Sequence, residues 1–101
     1  MVGVKSKVHD QNVNIEISGN FDISYYDDFN RTINENLETA SRFVIDLAQA
    51  TYMDSSALGM LLMLREKTHS DASRVELVNV NDDVMKILKV AKFEQLFSIN
   101  P

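Results

Sequence analysis

Residues 51–65 read TYMDSSALGMLLMLR, and this stretch decides how the chain is organised. It follows the apolar run 43–47, which predicts a buried strand. Asp54, Ser55 and Ser56 are residue types preferred immediately before a helix, because their side-chain oxygens accept hydrogen bonds from the first unpaired backbone N–H groups. The stretch therefore predicts a strand, a turn and a helix that begins beside two serine hydroxyls.

The segments before this stretch predict two strands and a helix. Alternating apolar and polar residues predict antiparallel strands over 2–8 and 13–18, joined by a turn at 10–12. Apolar residues three and four positions apart then predict an amphipathic helix from Tyr26 to about Thr39. The strand at 42–47 is nearly all apolar, which is typical of a strand covered on both faces.

The segments after it repeat the alternation of strand and helix. Residues 75–80 predict a strand, and residues 81–91 predict a helix that begins at Asn81. The ending, residues 92–99, is apolar enough to pack against the rest, either as a short helical turn or as an edge strand. The element order is β-β-α-β-α-β-α.

This order predicts an α/β fold with one domain over residues 1–101 and a mixed sheet of four to five strands. Helices pack on the sheet, and right-handed crossovers join its parallel central strands. Ligands of open α/β sheets bind at the carboxyl ends of the strands. Because residues 19–22 and Asp54–Ser55 both follow strands, we expect these two segments to lie near each other on one rim.

Composition excludes several kinds of chemistry. The formal net charge of −5 disfavours nucleic acid as a ligand, since phosphate contacts need clustered Lys and Arg. The absence of cysteine excludes disulfides and thiolate sites. His9 and His69 are isolated, so we expect no metal site. With three glycines and no phosphate-binding loop motif, we expect no nucleotide cofactor from the residue pattern.

Catalysis and membrane insertion are also not expected. Ser55 has a carboxylate beside it but no histidine placed to act as a base, so a serine hydrolase is disfavoured. The longest apolar run, residues 57–64, gives about 12 Å of helix, and a membrane span needs roughly 20 residues. The first seven residues lack the apolar segment of a signal peptide. We therefore expect a cytoplasmic protein.

Two motifs resemble those of a known family. Residues 52–59, YMDSSALG, resemble the signature of STAS-domain proteins, the anti-sigma-factor antagonists of bacterial partner-switching systems. Upstream, residues 19–22, GNFD, resemble the Gly-x-Leu/Phe-Asp segment of the same family. The resemblance covers nearly the whole chain. Ala57 replaces the more usual Gly, and Asn20 stands where an acid is common.

The resemblance implies a non-catalytic binding switch in transcription regulation, without a cofactor. The unphosphorylated domain would bind an anti-sigma factor or a GHKL-type serine kinase and release its other partner. The kinase would phosphorylate Ser55, with Ser56 as the second candidate, and a PP2C-type serine phosphatase would reverse the modification. Asp22 and Asp54 would shape the partner-binding rim.

The sequence does not define which side of the helix after Asp54 faces solvent, because apolar residues occur on every side. A step of about 100° per residue predicts that Leu58, Leu61, Leu62 and Leu64 face the sheet. Ser56, Met60, Met63 and Lys67 then share another side of the helix. Burial in the core is the alternative for Met60 and Met63, and our prediction is that both are partly exposed and contact a partner.

The resemblance also leaves two other functions open. STAS-like domains occur as constitutive subunits of lipid-transport ABC assemblies, where they bind an ATPase subunit without a phosphorylation cycle. A nucleotide-binding STAS domain is the third hypothesis.

Overall fold

The structure is a computed structural model that describes residues 5–101. Its strands are β1 (Lys5–His9), β2 (Asn12–Phe21), β3 (Arg42–Met53), β4 (Val75–Val78) and β5 (Ser98–Ile99). Its helices are α1 (Tyr26–Asn36), α2 (Ser55–Lys67) and α3 (Asp82–Val90), and short 3-10 turns cover 23–25, 72–74 and 93–95. The predicted element order is confirmed for the residues described. Val2 and Val4, which belong to the predicted first strand, lie outside them.

The strands form one five-stranded mixed sheet in the order β1-β2-β3-β4-β5. β1 and β2 are antiparallel and turn at Asp10 and Gln11, both of which have positive φ angles. The other three pairs are parallel. The predicted mixed sheet with parallel central strands is therefore confirmed. The C-terminal segment contains both of the structures left open by the sequence, a 3-10 turn at Phe93–Gln95 followed by the edge strand β5.

One face of the sheet is buried under the three helices. Sequential parallel strands with right-handed crossovers place every connecting helix on the same side. The side chains on that side are fully buried in β2, β3 and β4; they include Val13, Ile15, Ile17, Phe43, Ile45, Leu47 and Leu77. They form one hydrophobic core with the inner faces of α1, α2 and α3.

The opposite face of the sheet is not covered by any helix of residues 5–101. The expectation that β3 is covered on both faces was therefore wrong. Val44 and Asp46, which alternate with the buried residues of β3, are only half-buried. Their neighbours on β2, Asn14 and Glu16, are exposed and half-buried. Asp46 was the signal for an open face within the otherwise apolar run, because a carboxylate is rarely buried without a partner. β3 also extends to Met53, beyond the predicted end.

Candidate functional site

The carboxyl ends of β2 and β3 lie side by side. Phe21 pairs with Met53, and the backbone N–H of Asp54 donates to the carbonyl oxygen of Phe21 at 3.3 Å. Asp22 therefore follows directly after a residue that is hydrogen-bonded to Asp54. The prediction that the two motif segments meet on one rim is confirmed, and the fold alone produces this arrangement, since parallel strands end at the same edge.

Asp54 caps α2 and places Ser55 at its first position. Oδ1 of Asp54 accepts a hydrogen bond from the backbone N–H of Ala57 at 3.0 Å, while the Asp54 backbone is extended. The Ser55 side chain is exposed, and its hydroxyl makes no hydrogen bond within residues 5–101. Ser56 is half-buried. The expected accessibility of Ser55 at the first turn of α2 is confirmed.

Asp22 closes the turn that leads into α1. Its carboxylate accepts hydrogen bonds from the hydroxyl and the backbone N–H of Ser24, the second at 2.9 Å. These two bonds, the hydroxyl first, hold the pKa of the Asp22 carboxyl below its usual value of 3.8. Asp22 is therefore a fixed anion at neutral pH, next to Asp54 along the rim.

Buried aromatic residues pack together beneath the ends of β2 and β3. The ring of Phe21 packs edge-on against Tyr25, at 5.4 Å between centroids, and in a tilted arrangement against Phe29, at 5.8 Å. The Tyr25 hydroxyl accepts from the Ser18 backbone N–H at 3.1 Å and donates to the Ser18 carbonyl oxygen. Ser18 lies where the β2–β3 ladder shifts register, so Tyr25 bonds backbone groups at an irregular point of the sheet.

A second hydrogen bond links the two strand ends. The Thr51 hydroxyl donates to Oδ1 of Asn20 at 3.1 Å. Asn20 is one of the two departures from the resembled motifs, and here its neutral amide oxygen accepts the bond. The bond joins the last part of β3 to the segment that leads to Asp22.

Two exposed apolar side chains on this rim were not among the predicted site residues. Ile23 is 64% exposed and Tyr52 is 54% exposed. We call Asp22, Ile23, Tyr52, Asp54 and Ser55 the carboxyl rim. Periodicity could not have found Tyr52, because the period-two burial of β3 ends at Leu47 and two exposed residues then precede each of the buried residues Ala50 and Met53. Ile23 offered no signal either, because its exposure depends on the Asp22 turn.

The prediction that Met60 is partly exposed was wrong. Met60 is only 3% exposed and packs in the core with Ala57, Leu61 and Leu64. Leu62, predicted to face the sheet, is 42% exposed. Ser55, Gly59, Leu62 and Glu66 are the residues of α2 that face solvent.

The remaining residues of the predicted methionine side face α1. Nζ of Lys67 donates to Oδ1 of Asn30 and of Asn34, at 3.0 and 2.6 Å. Met63 and Ser56 lie on this side of α2 and are half-buried. Met63 is partly exposed, as predicted, but it is on the side of α2 nearest α1 and not on the outward line with Ser55.

A cleft of about 290 Å³ lies between the end of β3 and the start of α3; its lining is Ala48, Gln49, Ala50, Thr51, Asn81, Asp82 and Asp83. Two carboxylates and no cation line it, so it is poorly suited to a phosphate-bearing ligand. Within residues 5–101, no group of three or more His, Cys, Asp or Glu side chains is arranged to hold a metal ion. In the same range, no helix has the length and apolar character needed to cross a bilayer.

A family model matches nearly all of the chain. Residues 5–98 match the family model described as "Mlab, STAS domain". The chain belongs to the STAS domain family. The matched residues of this STAS domain include the whole carboxyl rim and all of α2.

A relative in sequence and several solved structures are similar to this STAS domain. It is 43% identical over 90 residues to a STAS-domain containing protein of Pseudomonas aeruginosa, with 89% of each chain covered. An anti-sigma factor antagonist from Mycobacterium paratuberculosis is 18% identical, with a TM-score of 0.85 over 100% of this chain and 86% of that one.

The anti-sigma factor antagonist SpoIIAA of Bacillus is similar in both of its solved states. Its unphosphorylated form gives a TM-score of 0.75 at 19% identity, covering 98% of this chain and 86% of that one. Its phosphorylated form gives 0.72 at 17% identity, covering 98% and 90%. At these identities the likeness shows a shared fold.

Proposed function

We propose that this STAS domain is a non-catalytic binding switch controlled by phosphorylation of Ser55. The observation that carries the proposal is the exposed Ser55 hydroxyl at the first position of α2, directly after the capping residue Asp54. A kinase can reach this hydroxyl without unfolding the helix. Ser56 is the second candidate, and its partial burial makes it less accessible.

The fold tolerates a phosphate at Ser55. Phosphorylation adds about 1.5 to 2 negative charges at pH 7. The helix dipole and the free N–H groups of the first turn favour an anion at that end by about 0.3–1 kcal/mol. The new charge therefore acts mainly on whatever binds the carboxyl rim and not on the stability of the domain.

Binding at the carboxyl rim is sensitive to the same phosphate. Asp22 and Asp54 already place two carboxylates there, and Ile23 and Tyr52 offer exposed apolar surface to a partner. A partner that packs around a neutral hydroxyl must desolvate the phosphate as well. Even one buried polar group without a partner costs about 1–3 kcal/mol, and an unpaired charge costs more.

The partner we propose is an anti-sigma factor or a GHKL-type serine kinase in the cytoplasm, with a PP2C-type phosphatase restoring the hydroxyl. The similarity to SpoIIAA, an anti-sigma factor antagonist solved with and without phosphate, supports this assignment. Asp22, Asp54 and Met63 remain proposed contacts. The burial of Met60 removes it from the proposed surface.

The test is to map phosphate on the protein isolated from cells. Phosphate-affinity electrophoresis followed by peptide mass spectrometry should find a fraction of the molecules phosphorylated at Ser55, and the Ser55→Ala variant should give a single unmodified band. A wild-type protein that is never phosphorylated and copurifies at fixed stoichiometry with an ATPase subunit would overturn the proposal. That result would instead support a constitutive subunit of an ABC assembly.

A further inference from the structure

Gly59 lies within α2, one turn after Ser55, on the side of the helix that faces solvent. Its backbone is ordinary right-handed helix, whereas Gly19 has a φ angle of 73°, a conformation that favours glycine. Apart from its chain neighbours and the surrounding helix backbone, a Cβ atom at position 59 would have no heavy atom of residues 5–101 within 4 Å. The fold therefore requires glycine at position 59 neither for its backbone conformation nor for lack of space.

A glycine at such a position lowers the stability of the fold. Relative to alanine, glycine loses more conformational freedom when a helix forms, and alanine is the residue that helices favour most. The same helix has an alanine two positions earlier, and Ala57 is fully buried in the core. Gly59 is exposed and has no comparable packing role. What glycine provides here is a point at which another chain can approach the helix backbone closely.

The open space above Gly59 adjoins Ser55. Residues four apart lie on the same face of a helix, and side chains in helices point back towards the N-terminus, over the preceding turn. A side chain at position 59 would therefore extend along the surface towards Ser55. Because Gly59 has none, the Ser55 hydroxyl is open from this side as well as from the carboxyl rim.

We propose that Gly59 is a specificity-determining residue for the modification of Ser55, because the serine kinase packs its own chain against the backbone of α2 at this point. The inference rests on the proposed function, since it requires that a kinase modifies Ser55. In that reaction the Ser55 oxygen bonds to the γ-phosphorus of ATP, the bond from this phosphorus to the oxygen shared with the β-phosphate breaks, and ADP and the hydroxyl proton leave.

The kinase must enclose the hydroxyl and the transferred phosphate, both to position them and to keep water away from ATP. Ser55 is the first residue of α2, with the carboxyl rim on one side and the turn that contains Gly59 on the other. A kinase that encloses the hydroxyl therefore contacts this turn. A methyl group at position 59 fits the free domain but occupies space that the kinase takes up. The same substitution should stabilise the domain and impair its modification.

The initial rate of phosphate incorporation at Ser55 tests the proposal. Purified full-length protein is added to an extract of its native cells with radiolabelled ATP, and the Ser55→Ala variant gives the background. Gly59→Ala should slow incorporation at least about fivefold, and Gly59→Leu at least about fiftyfold, because overpacking increases with the size of the added group. Gly59→Ala should also raise the melting temperature by about 4–8 °C. Slower modification of a more stable protein cannot result from a damaged fold.

Glu66→Leu is the matched control, because Glu66 is exposed on the same face of α2, two turns after Gly59. This variant should be phosphorylated at the wild-type rate. The inference alone is overturned if the wild type is modified at Ser55 and Gly59→Ala and Gly59→Leu are modified equally fast, or if Glu66→Leu slows the reaction as much as Gly59→Leu does. A wild type that takes up no phosphate at Ser55 overturns the proposed function and the inference with it.

Discussion

The chain contains the same turn twice, in Asp22-Ile23-Ser24 and in Asp71-Ala72-Ser73. In each, the aspartate carboxylate accepts from the serine hydroxyl and from the serine backbone N–H, the latter at 2.9 Å. Each opens a 3-10 turn, and in each the serine holds the pKa of the aspartate below its usual value. Their local chemistry is nearly identical.

Their surroundings differ. The first turn follows β2 at the carboxyl ends of the parallel strands, beside Asp54 and Ser55. The second precedes β4 at the opposite end of the sheet, where the neighbouring Arg74 donates to the carbonyl oxygens of Leu37 and Ala40 at 3.2 and 3.0 Å. The motif itself is therefore a structural element, and its position at the carboxyl ends makes the first copy a candidate binding site.

The largest expected effect is on stability, when the residue that holds each turn in place, Phe21 or Arg74, is replaced by alanine. Phe21→Ala removes the ring that packs on Tyr25 and Phe29, so the free energy of unfolding should fall by about 3–5 kcal/mol. Arg74→Ala loses two hydrogen bonds at the second turn and should cost about 1–2 kcal/mol. Urea denaturation measures both. Equal losses would show that the aromatic cluster is not the stronger anchor.

The second prediction exchanges the central residues of the two turns. Ile23→Ala makes the first turn resemble the second, and it should weaken binding of the kinase partner by about 1 kcal/mol or more, because it removes exposed apolar surface from the carboxyl rim. Ala72→Ile makes the reverse change and should leave binding unaltered. Calorimetric titration gives both affinities.

Melting temperatures serve as the control for this exchange. Both positions are exposed, so both variants should melt close to wild type. If Ala72→Ile weakens binding as much as Ile23→Ala does, the carboxyl rim is not the distinguishing surface.

The smallest expected effect is the response of the two turns to acid. A carboxyl whose pKa is lowered on folding stabilises the fold when it is ionised, and that stabilisation is lost as the pH falls through the lowered value. Asp22→Asn and Asp71→Asn keep an oxygen acceptor without the charge. Each should lose a little stability at neutral pH and show a shallower decline below about pH 4.

Thermal melts over a pH series measure this response. The two variants should behave alike in stability, although only Asp22→Asn should alter binding at the carboxyl rim. A clear difference between their acid profiles would mean that the turns are not equivalent locally.

Element order and the meeting of the two motif segments could be predicted from the sequence, because strand periodicity and crossover handedness follow from local patterns. The outward face of α2 could not. Apolar residues surround that helix, so periodicity does not define which side is buried, and packing against the rest of the core decides it. For this reason Met60 and Leu62 were assigned to the wrong sides.

The open face of the sheet was missed for a related reason. Val44 is apolar, which concealed the alternation in β3 and left Asp46 as the only polar residue in the run. The exposure of Tyr52 and Ile23 depends on where β3 ends and how the Asp22 turn closes, and both are set by tertiary pairing with β2 and by the register shifts in that pair.

The most direct measurement is the affinity of the kinase partner for protein with phosphoserine incorporated at a single position. Ser55 and Ser70 are both exposed serines beside an aspartate, at opposite ends of α2. Phosphoserine at 55 should weaken binding at least about a hundredfold with an unchanged melting temperature, and phosphoserine at 70 should leave the affinity near that of the unmodified protein. Equal affinities for all three proteins would contradict a phosphorylation switch at the carboxyl rim.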